Sequence, residues 1–297
     1  MYQDHHQIKN RTFIVSGGSS GLGLATTLIF LQNGANVSIL DLNPPPSDAS
    51  SLLNTSKVIF NKTNVASTES LQAALKSTLS WTQETHMALS GVICCAGIGT
   101  AALSLPKQDP SATHESVKYM DMSVFDRTLT INVRGTVDLI RLAVPHMALN
   151  QPWGPDGERG IIVVVSSVAA YEGQVGQLAY SASKGAVRSI VLPLARELGQ
   201  KAGIRALGIA PGVFQTGMTA PVKKKTAAAP AKKEGVESKP KGSTGSRASI
   251  NTEMIQYPMR MGRGDEFARL VKEMVENPML NGIVIRLDGA VRMPSRL

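Results

Sequence analysis

The chain has 297 residues, of which 42% are apolar, 4% aromatic and 18% charged, with a formal net charge of +9. This globular composition can bury a core without disulfide or metal staples, which excludes fibrous and wholly disordered classes. The positive excess raises a phosphate-rich partner, an idea that depends on where the charges lie.

Strand-like and helix-like stretches alternate along the chain. Thr12–Ser16, Asn36–Asp41, Val58–Phe60, Leu89–Cys95, Gly160–Ser166, Ile204–Ala210 and Gly282–Leu287 read as short strands. Most are rich in β-branched residues with little polar alternation, the pattern of parallel strands buried on both faces. Leu22–Asn33, Thr68–Trp81, Asp121–Leu149, Ala179–Gly199 and Asp265–Glu276 carry helical spacing, and Gly34 is placed to end the first helix. The order predicts an α/β protein: a single Rossmann-type, doubly wound parallel sheet with helices on both faces.

Two stretches interrupt the pattern. Pro44-Pro45-Pro46 is a turn or loop. Between Pro221 and Ile250 stand Lys223, Lys224, Lys225, Lys232, Lys233, Lys239, Lys241 and Arg247 against only Glu234 and Glu237, and there is no aromatic residue. Eight cations less two anions give +6 of the chain's +9, leaving +3 for the remainder. Such a stretch has too little apolar surface to offset its ordering entropy, so residues 221–250 are expected to be a disordered insertion within one domain spanning 1–297. With the charge confined there, a nucleic-acid partner is disfavoured.

The cysteines, Cys94 and Cys95, are adjacent, which disfavours an ordinary disulfide. His5, His6, His86, His114 and His146 show no ligand spacing, so no metal is expected. No apolar run reaches the roughly 18–20 residues of a membrane span, and the polar segment Met1–Arg11 is too short for a targeting peptide. A soluble protein of a reducing compartment is the expectation.

Ser16-Gly17-Gly18-Ser19-Ser20-Gly21-Leu22-Gly23 follows the first strand directly. Glycines at 17, 21 and 23 allow the sharp turn, close phosphate approach and tight helix packing that a dinucleotide pyrophosphate needs. Asp41 ends the second strand 18 residues after Gly23, where a carboxylate accepts ribose hydroxyls and repels a 2′-phosphate. With no Arg or Lys beside it, NAD is favoured over NADP. In the helix after the fifth strand, Tyr180 and Lys184 stand at i and i+4 on one face. An ammonium near a phenol lowers its pKa and makes it a general base. Ser167, at the C-terminal end of the fifth strand, is placed to hold a substrate oxygen.

With the glycine loop, Asp41, Ser167, Tyr180 and Lys184 in this order, the chain resembles the short-chain dehydrogenase/reductase family over almost its whole length. The resemblance implies Tyr180 as acid/base, Lys184 tuning it and binding the nicotinamide ribose, and Ser167 orienting the substrate. Asn132, in Asn132-Val133-Arg134-Gly135, would complete a proton relay, and its low helical propensity agrees with a local distortion. Cofactor contacts are implied at Gly17, Ser20, Gly21, Leu22, Gly23, Asp41, Asn64, Val65, Cys95, Ala96, Gly97, Tyr180, Lys184, Pro211 and Phe214. Asn64 departs from the family's Asp, but its carbonyl can still accept from an adenine amine. Cys94 departs from an Asn, and Ser16 replaces Thr while keeping the hydroxyl.

Two segments resemble the type-2 3-hydroxyacyl-CoA dehydrogenase branch. They are Ser167-Val168-Ala169-Ala170-Tyr171-Glu172-Gly173-Gln174-Val175-Gly176-Gln177, and Asn277-Pro278-Met279-Leu280-Asn281-Gly282 with Ile285–Ala290. That likeness implies NAD-dependent oxidation of L-3-hydroxyacyl-CoA in fatty-acid β-oxidation, tolerance of other secondary alcohols, and a homotetramer. Two other readings stand beside it: a steroid or secondary-metabolite alcohol dehydrogenase, and a basic module binding nucleic acid or another partner. The Lys-rich insertion falls where the family places its substrate lid. Its lysines would either attract CoA phosphates or simply be solvated. The chain ends Ser295-Arg296-Leu297, a variant of the Ser-Lys-Leu address read by the peroxisomal import receptor. Peroxisomal localisation is therefore expected, with the cytoplasm and mitochondria as alternatives.

Overall fold

The computed structural model describes residues 8–217 and 254–293. The Lys-rich stretch 221–250 and the C-terminal tripeptide, singled out above, lie outside the described residues. Seven strands form one parallel sheet in the order β3-β2-β1-β4-β5-β6-β7. They are β1 (Thr12–Ser16), β2 (Asn36–Asp41), β3 (Val58–Lys62), β4 (Leu89–Cys94), β5 (Gly160–Val165), β6 (Ile204–Pro211) and β7 (Val284–Leu287). Every residue of β1, β4, β5 and β6 is buried, which explains why these strands read as continuous apolar runs. The strand order reverses between β1 and β4, and at such a switch the loops leaving the C-terminal edges part to leave a crevice.

Among the described residues, seven α-helices cover both faces: α1 (Gly21–Gln32), α2 (Thr68–Thr85), α3 (Met122–Leu129), α4 (Gly135–Ala148), α5 (Leu178–Ser189), α6 (Val191–Ala202) and α7 (Gly264–Glu276). On one face α1 and α7 bury Phe30, Phe267, Val271 and Met274 against Phe13, Val15, Val163 and Leu207 of the sheet. On the other, α2, α4, α5 and α6 bury Leu71, Leu139, Val187 and Val191 against Ile14, Val92 and Ile162. Gly34, at φ +82°, turns the chain out of α1 toward β2.

Two helices expected to be single are interrupted. The stretch read as Asp121–Leu149 contains a π-helical turn at Thr130–Arg134 between α3 and α4. The stretch read as Ala179–Gly199 begins a residue earlier and divides at Ile190 into α5 and α6. Periodicity alone does not register either break, because apolar spacing continues across both.

Candidate active site

The first wall of the crevice is the glycine loop. Gly17 adopts φ +68°, and a Cβ there would fall 2.8 Å from the Ala96 nitrogen. At Gly23 a Cβ would collide with the Gly17 carbonyl, so the turn from β1 into α1 closes only around glycine. Ser20 stands immediately before α1, so the helix N-terminus and its dipole open onto the crevice. Asp41 at the end of β2 accepts from the Ser19 nitrogen at 3.1 Å and the Asn43 nitrogen at 3.3 Å, which fixes its carboxylate beside the loop. A tight glycine cradle, a helix N-terminus and an anchored carboxylate fit the pyrophosphate and ribose of a dinucleotide.

The second wall comes from β4. The Ser16 hydroxyl accepts from the Ala96 nitrogen at 3.3 Å and the Ser16 carbonyl accepts from the Cys95 nitrogen at 3.1 Å, which ties this segment to the end of β1. Cys94 and Cys95 are free thiols. Burial pushes the Cys95 thiol up to about 12, so it is a packing group rather than a nucleophile. Asn64 places its Oδ1 on the Ala66 nitrogen at 3.0 Å. The carbonyl expected to meet adenine therefore already closes a local turn, with one lone pair remaining.

Ser167, Tyr180 and Lys184 converge at the C-terminal end of β5. Ser167 is extended and buried, and its Oγ accepts from the Ala169 nitrogen at 3.1 Å to begin a short 3₁₀ turn over Val168–Ala170. Its hydroxyl lies close enough to the Tyr180 phenol to favour the phenolate. One turn further along α5, the buried Lys184 Nζ lies 5.9 Å from the Tyr180 ring centroid and donates to the Val165 carbonyl at 2.9 Å. Burial raises the Tyr180 pKa, with the nearby Ser167 hydroxyl opposing it, so the lowering expected from Lys184 is not what this geometry gives. Burial also brings Lys184 down to about 8, with Cys95 and Cys94 opposing that shift.

Asn132 sits in the π-helical turn, which bears out the local distortion that its low helical propensity signalled. Its Oδ1 accepts from the Ile98 nitrogen at 2.8 Å, while its Nδ2 donates to the Ile98 carbonyl and the Ser183 hydroxyl, each at 3.0 Å. Both amide hydrogens are thus committed to pinning the loop after β4 onto α5. Gly97 lies between two polar groups: a Cβ there would be 3.1 Å from Asn132 Oδ1 and 3.4 Å from Lys184 Nζ.

Pro211 ends β6, and Phe214 follows on a short parallel bridge with Gly262. The Phe214 ring packs edge-on against Phe267, with centroids 6.2 Å apart. Thr216, which the sequence reading did not select, closes the far side of the cradle. Its Cβ and methyl lie 3.4 Å from where a Cβ on Gly21 would be. Its only signal was its place two residues beyond Phe214 in the same segment. Among the described residues no cluster of His, Cys, Asp or Glu is arranged to hold a metal ion, and no helix is long and apolar enough to cross a membrane.

The chain is similar to known proteins along its length. The family model described as short chain dehydrogenase matches residues 11–227. The 3-hydroxyacyl-CoA dehydrogenase type-2 of Drosophila melanogaster is 37% identical over 286 residues, covering 96% of this chain and 99% of the fly protein. The Homo sapiens protein of the same name is 36% identical over 287 residues, covering 96% and 97%. A crystal structure of 3-hydroxyacyl-CoA dehydrogenase type-2 from Mycobacterium avium matches with a TM-score of 0.76 at 30% identity, covering 99% of both chains. With a seven-stranded parallel sheet, a glycine cradle and a Ser-Tyr-Lys cluster at its C-terminal edge, this chain belongs to the short-chain dehydrogenase family.

Proposed function

We propose that the protein is an NAD-dependent dehydrogenase that interconverts L-3-hydroxyacyl-CoA and 3-ketoacyl-CoA. The observation that carries the chemistry is the convergence of Ser167, Tyr180 and Lys184 at the C-terminal end of β5, with the Lys184 ammonium 5.9 Å from the phenol ring centroid, set beside the glycine cradle. The substrate class rests on full-length similarity to proteins named 3-hydroxyacyl-CoA dehydrogenase type-2. Asp41 supports NAD, since a carboxylate at this position repels a 2′-phosphate.

When bound, NAD supplies the hydride acceptor. Ser167 Oγ orients the substrate oxygen, and Tyr180 removes its proton. Lys184 places a positive charge behind the phenol, which works against the burial of Tyr180 and supports the phenolate that accepts the substrate proton. Asn132 Oδ1 and Lys184 Nζ flank Gly97, and a water bridging them would carry the proton onward. The glycine cradle and the N-terminus of α1 would hold the pyrophosphate, Asn64, Val65 and Cys95–Gly97 would line the cofactor, and Pro211–Phe214 would lie toward its nicotinamide end.

The test is NADH formation with short and medium L-3-hydroxyacyl-CoAs beside CoA-free secondary alcohols, with NAD and NADP in parallel. Turnover of the acyl-CoAs with NAD supports the reading. Turnover of only the CoA-free alcohols would replace the substrate class and leave the chemistry. Homotetrameric assembly belongs to the same proposal and is checked by light scattering. Peroxisomal import through Ser295-Arg296-Leu297 agrees with an acyl-CoA substrate, and a fluorescent fusion with a free tail that stayed in the cytosol would defeat it.

A further inference from the structure

We infer that β7 and the segment following it brace the turn after Ser167, and that Glu172 and Arg286 are positioning residues that hold Ser167 in place. The inference rests on the proposed dehydrogenase reading for its kinetics but not for its structural readout.

Ser167 has no regular element holding it on its C-terminal side. It is followed by a single 3₁₀ turn, closed by Ala170 N to Ser167 O at 3.0 Å and by Tyr171 N and Glu172 N to Val168 O, both at 2.9 Å. One such turn has few hydrogen bonds and needs an external anchor to keep a single conformation. The anchor lies 114 residues away in sequence. Arg286 of β7 donates from Nη1 to Glu172 Oε1 at 2.7 Å, and the Met293 nitrogen donates to the other carboxylate oxygen at 2.9 Å. Arg286 is itself oriented by Asp288, through Nε to Oδ2 at 2.7 Å, and by the Val291 carbonyl at 3.2 Å. The Tyr171 ring, between Ser167 and Glu172 on the loop, has the Arg286 guanidinium 5.1 Å from its centroid and the Arg188 guanidinium of α5 at 4.7 Å.

An apolar contact locks the same two segments together. Val168, next to Ser167, is buried against Val291 and Ile255, with Val213 and Met293 at the edge. Gly289 accepts from the nitrogens of Gln256 at 3.0 Å and Tyr257 at 3.3 Å, so this segment also anchors the chain leading into α7. Glu172 is therefore held by a rigid strand through Arg286, and Ser167 sits at the start of the turn that Glu172 ends. Arg286 is three-quarters buried, and a planar guanidinium meeting two carboxylates, a carbonyl and a ring is a site where Lys is no substitute.

The experiment uses the full chain with Glu172→Gln, Arg286→Met and both together. It measures kcat with a short L-3-hydroxyacyl-CoA, the NAD dissociation constant, and amide hydrogen exchange over residues 167–172. Glu172→Gln keeps the side-chain shape and the Met293 acceptor, so it is the variant least prone to misfold. We expect each single variant to lower kcat about tenfold or more, the scale on which misplacement of a reacting group is felt. The NAD dissociation constant should stay within about twofold, since the clamp does not touch the glycine cradle. Exchange over 167–172 should accelerate in both variants, and the double variant should be no worse than the worse single one, as one shared device requires. Unchanged exchange over 167–172 would overturn the inference whether or not the protein turns over. So would unchanged kcat in both single variants of an active enzyme. If the wild-type chain oxidised no secondary alcohol, the dehydrogenase reading would fall, and the exchange data alone would decide the clamp.

Discussion

The Lys184 ammonium lies 5.9 Å from the Tyr180 ring centroid, yet its hydrogen bond goes to the Val165 carbonyl at 2.9 Å. The lysine is thus a fixed charge at the end of β5, held in place by backbone and surrounded by protein. Its position, rather than a direct bond, is what places positive charge near the phenol.

That fixed charge costs stability. The unfolded chain keeps its proton on Lys184 up to the ordinary 10.5, but the folded chain keeps it only to about 8. Between those values the unfolded state binds more protons, so wild-type stability gains a contribution as pH rises from 8 to 10.5 and lacks it below 8. Replacing Lys184 with Met removes the buried charge and also the bond to Val165. We expect Lys184→Met to abolish turnover and yet raise stability at neutral pH, by at most about 3 kcal/mol. The gain should shrink by about pH 10. Paired thermal or urea melts at the two pH values check this, and a loss of stability at both would contradict it.

Tyr180→Phe removes only the phenol oxygen. Turnover should fall by at least about 10²-fold, the contribution of a positioned acid/base, while the NAD dissociation constant changes little. Retained turnover with an acyl-CoA substrate would remove Tyr180 from its proposed role.

Burial keeps the Tyr180 phenol protonated above its ordinary range. Oxidation needs the phenolate and reduction needs the phenol. The oxidative kcat/KM should therefore rise between about pH 7 and about pH 9, while the reductive value does not. A flat oxidative profile over that interval would argue against phenolate as the base.

Much of the fold was legible because parallel strands buried on both faces leave long apolar runs, as in Ile161–Val165 and Ile204–Ala210. The glycine loop, Asp41 and the Tyr180–Lys184 spacing were legible because each is local: a turn, a strand end, one face of a helix. Long-range contacts were not. Glu172 meets Arg286 across 114 residues, and Glu158 meets Arg11 across 147, so no window of sequence contains either pair. The direction of the Tyr180 shift was also out of reach, because it depends on how deeply α5 is covered. The π-helical turn at Asn132 left a weak trace in helix propensity and none in periodicity.

Asp41 is held by the Ser19 and Asn43 nitrogens at the edge of the cradle. Substituting Asp41→Ala removes both the acceptor for ribose hydroxyls and the repulsion of a 2′-phosphate. NAD binding should weaken about tenfold, and the preference for NAD over NADP should narrow by more than that, since the two losses act in opposite directions on the two cofactors. Dissociation constants for both cofactors measure it directly. An unchanged ratio would mean that Asp41 does not face the ribose.

At the opposite edge of the sheet, Glu158 accepts from Arg11 and Arg205, each at 2.6 Å, and all three side chains are buried. Arg205 also donates to the carbonyls of Met274, Val275, Asn277 and Leu280, so it caps the end of α7. The Arg11 guanidinium sits 5.5 Å from the Phe13 centroid and 5.9 Å from Trp153, with two of its nitrogens otherwise unpartnered. Two buried cations share one carboxylate, so Glu158→Ala leaves both without a counter-charge and should cost about 3–5 kcal/mol. Removing a cation together with the carboxylate, as in Arg11→Leu with Glu158→Gln, should cost less than Glu158→Ala alone. Arg205 then still has its carbonyl partners, and no second charge is left without one. Chemical denaturation of the two variants beside the wild type decides the point: if the double variant were the least stable, the triad would be a net source of stability rather than a mutually dependent set of charges.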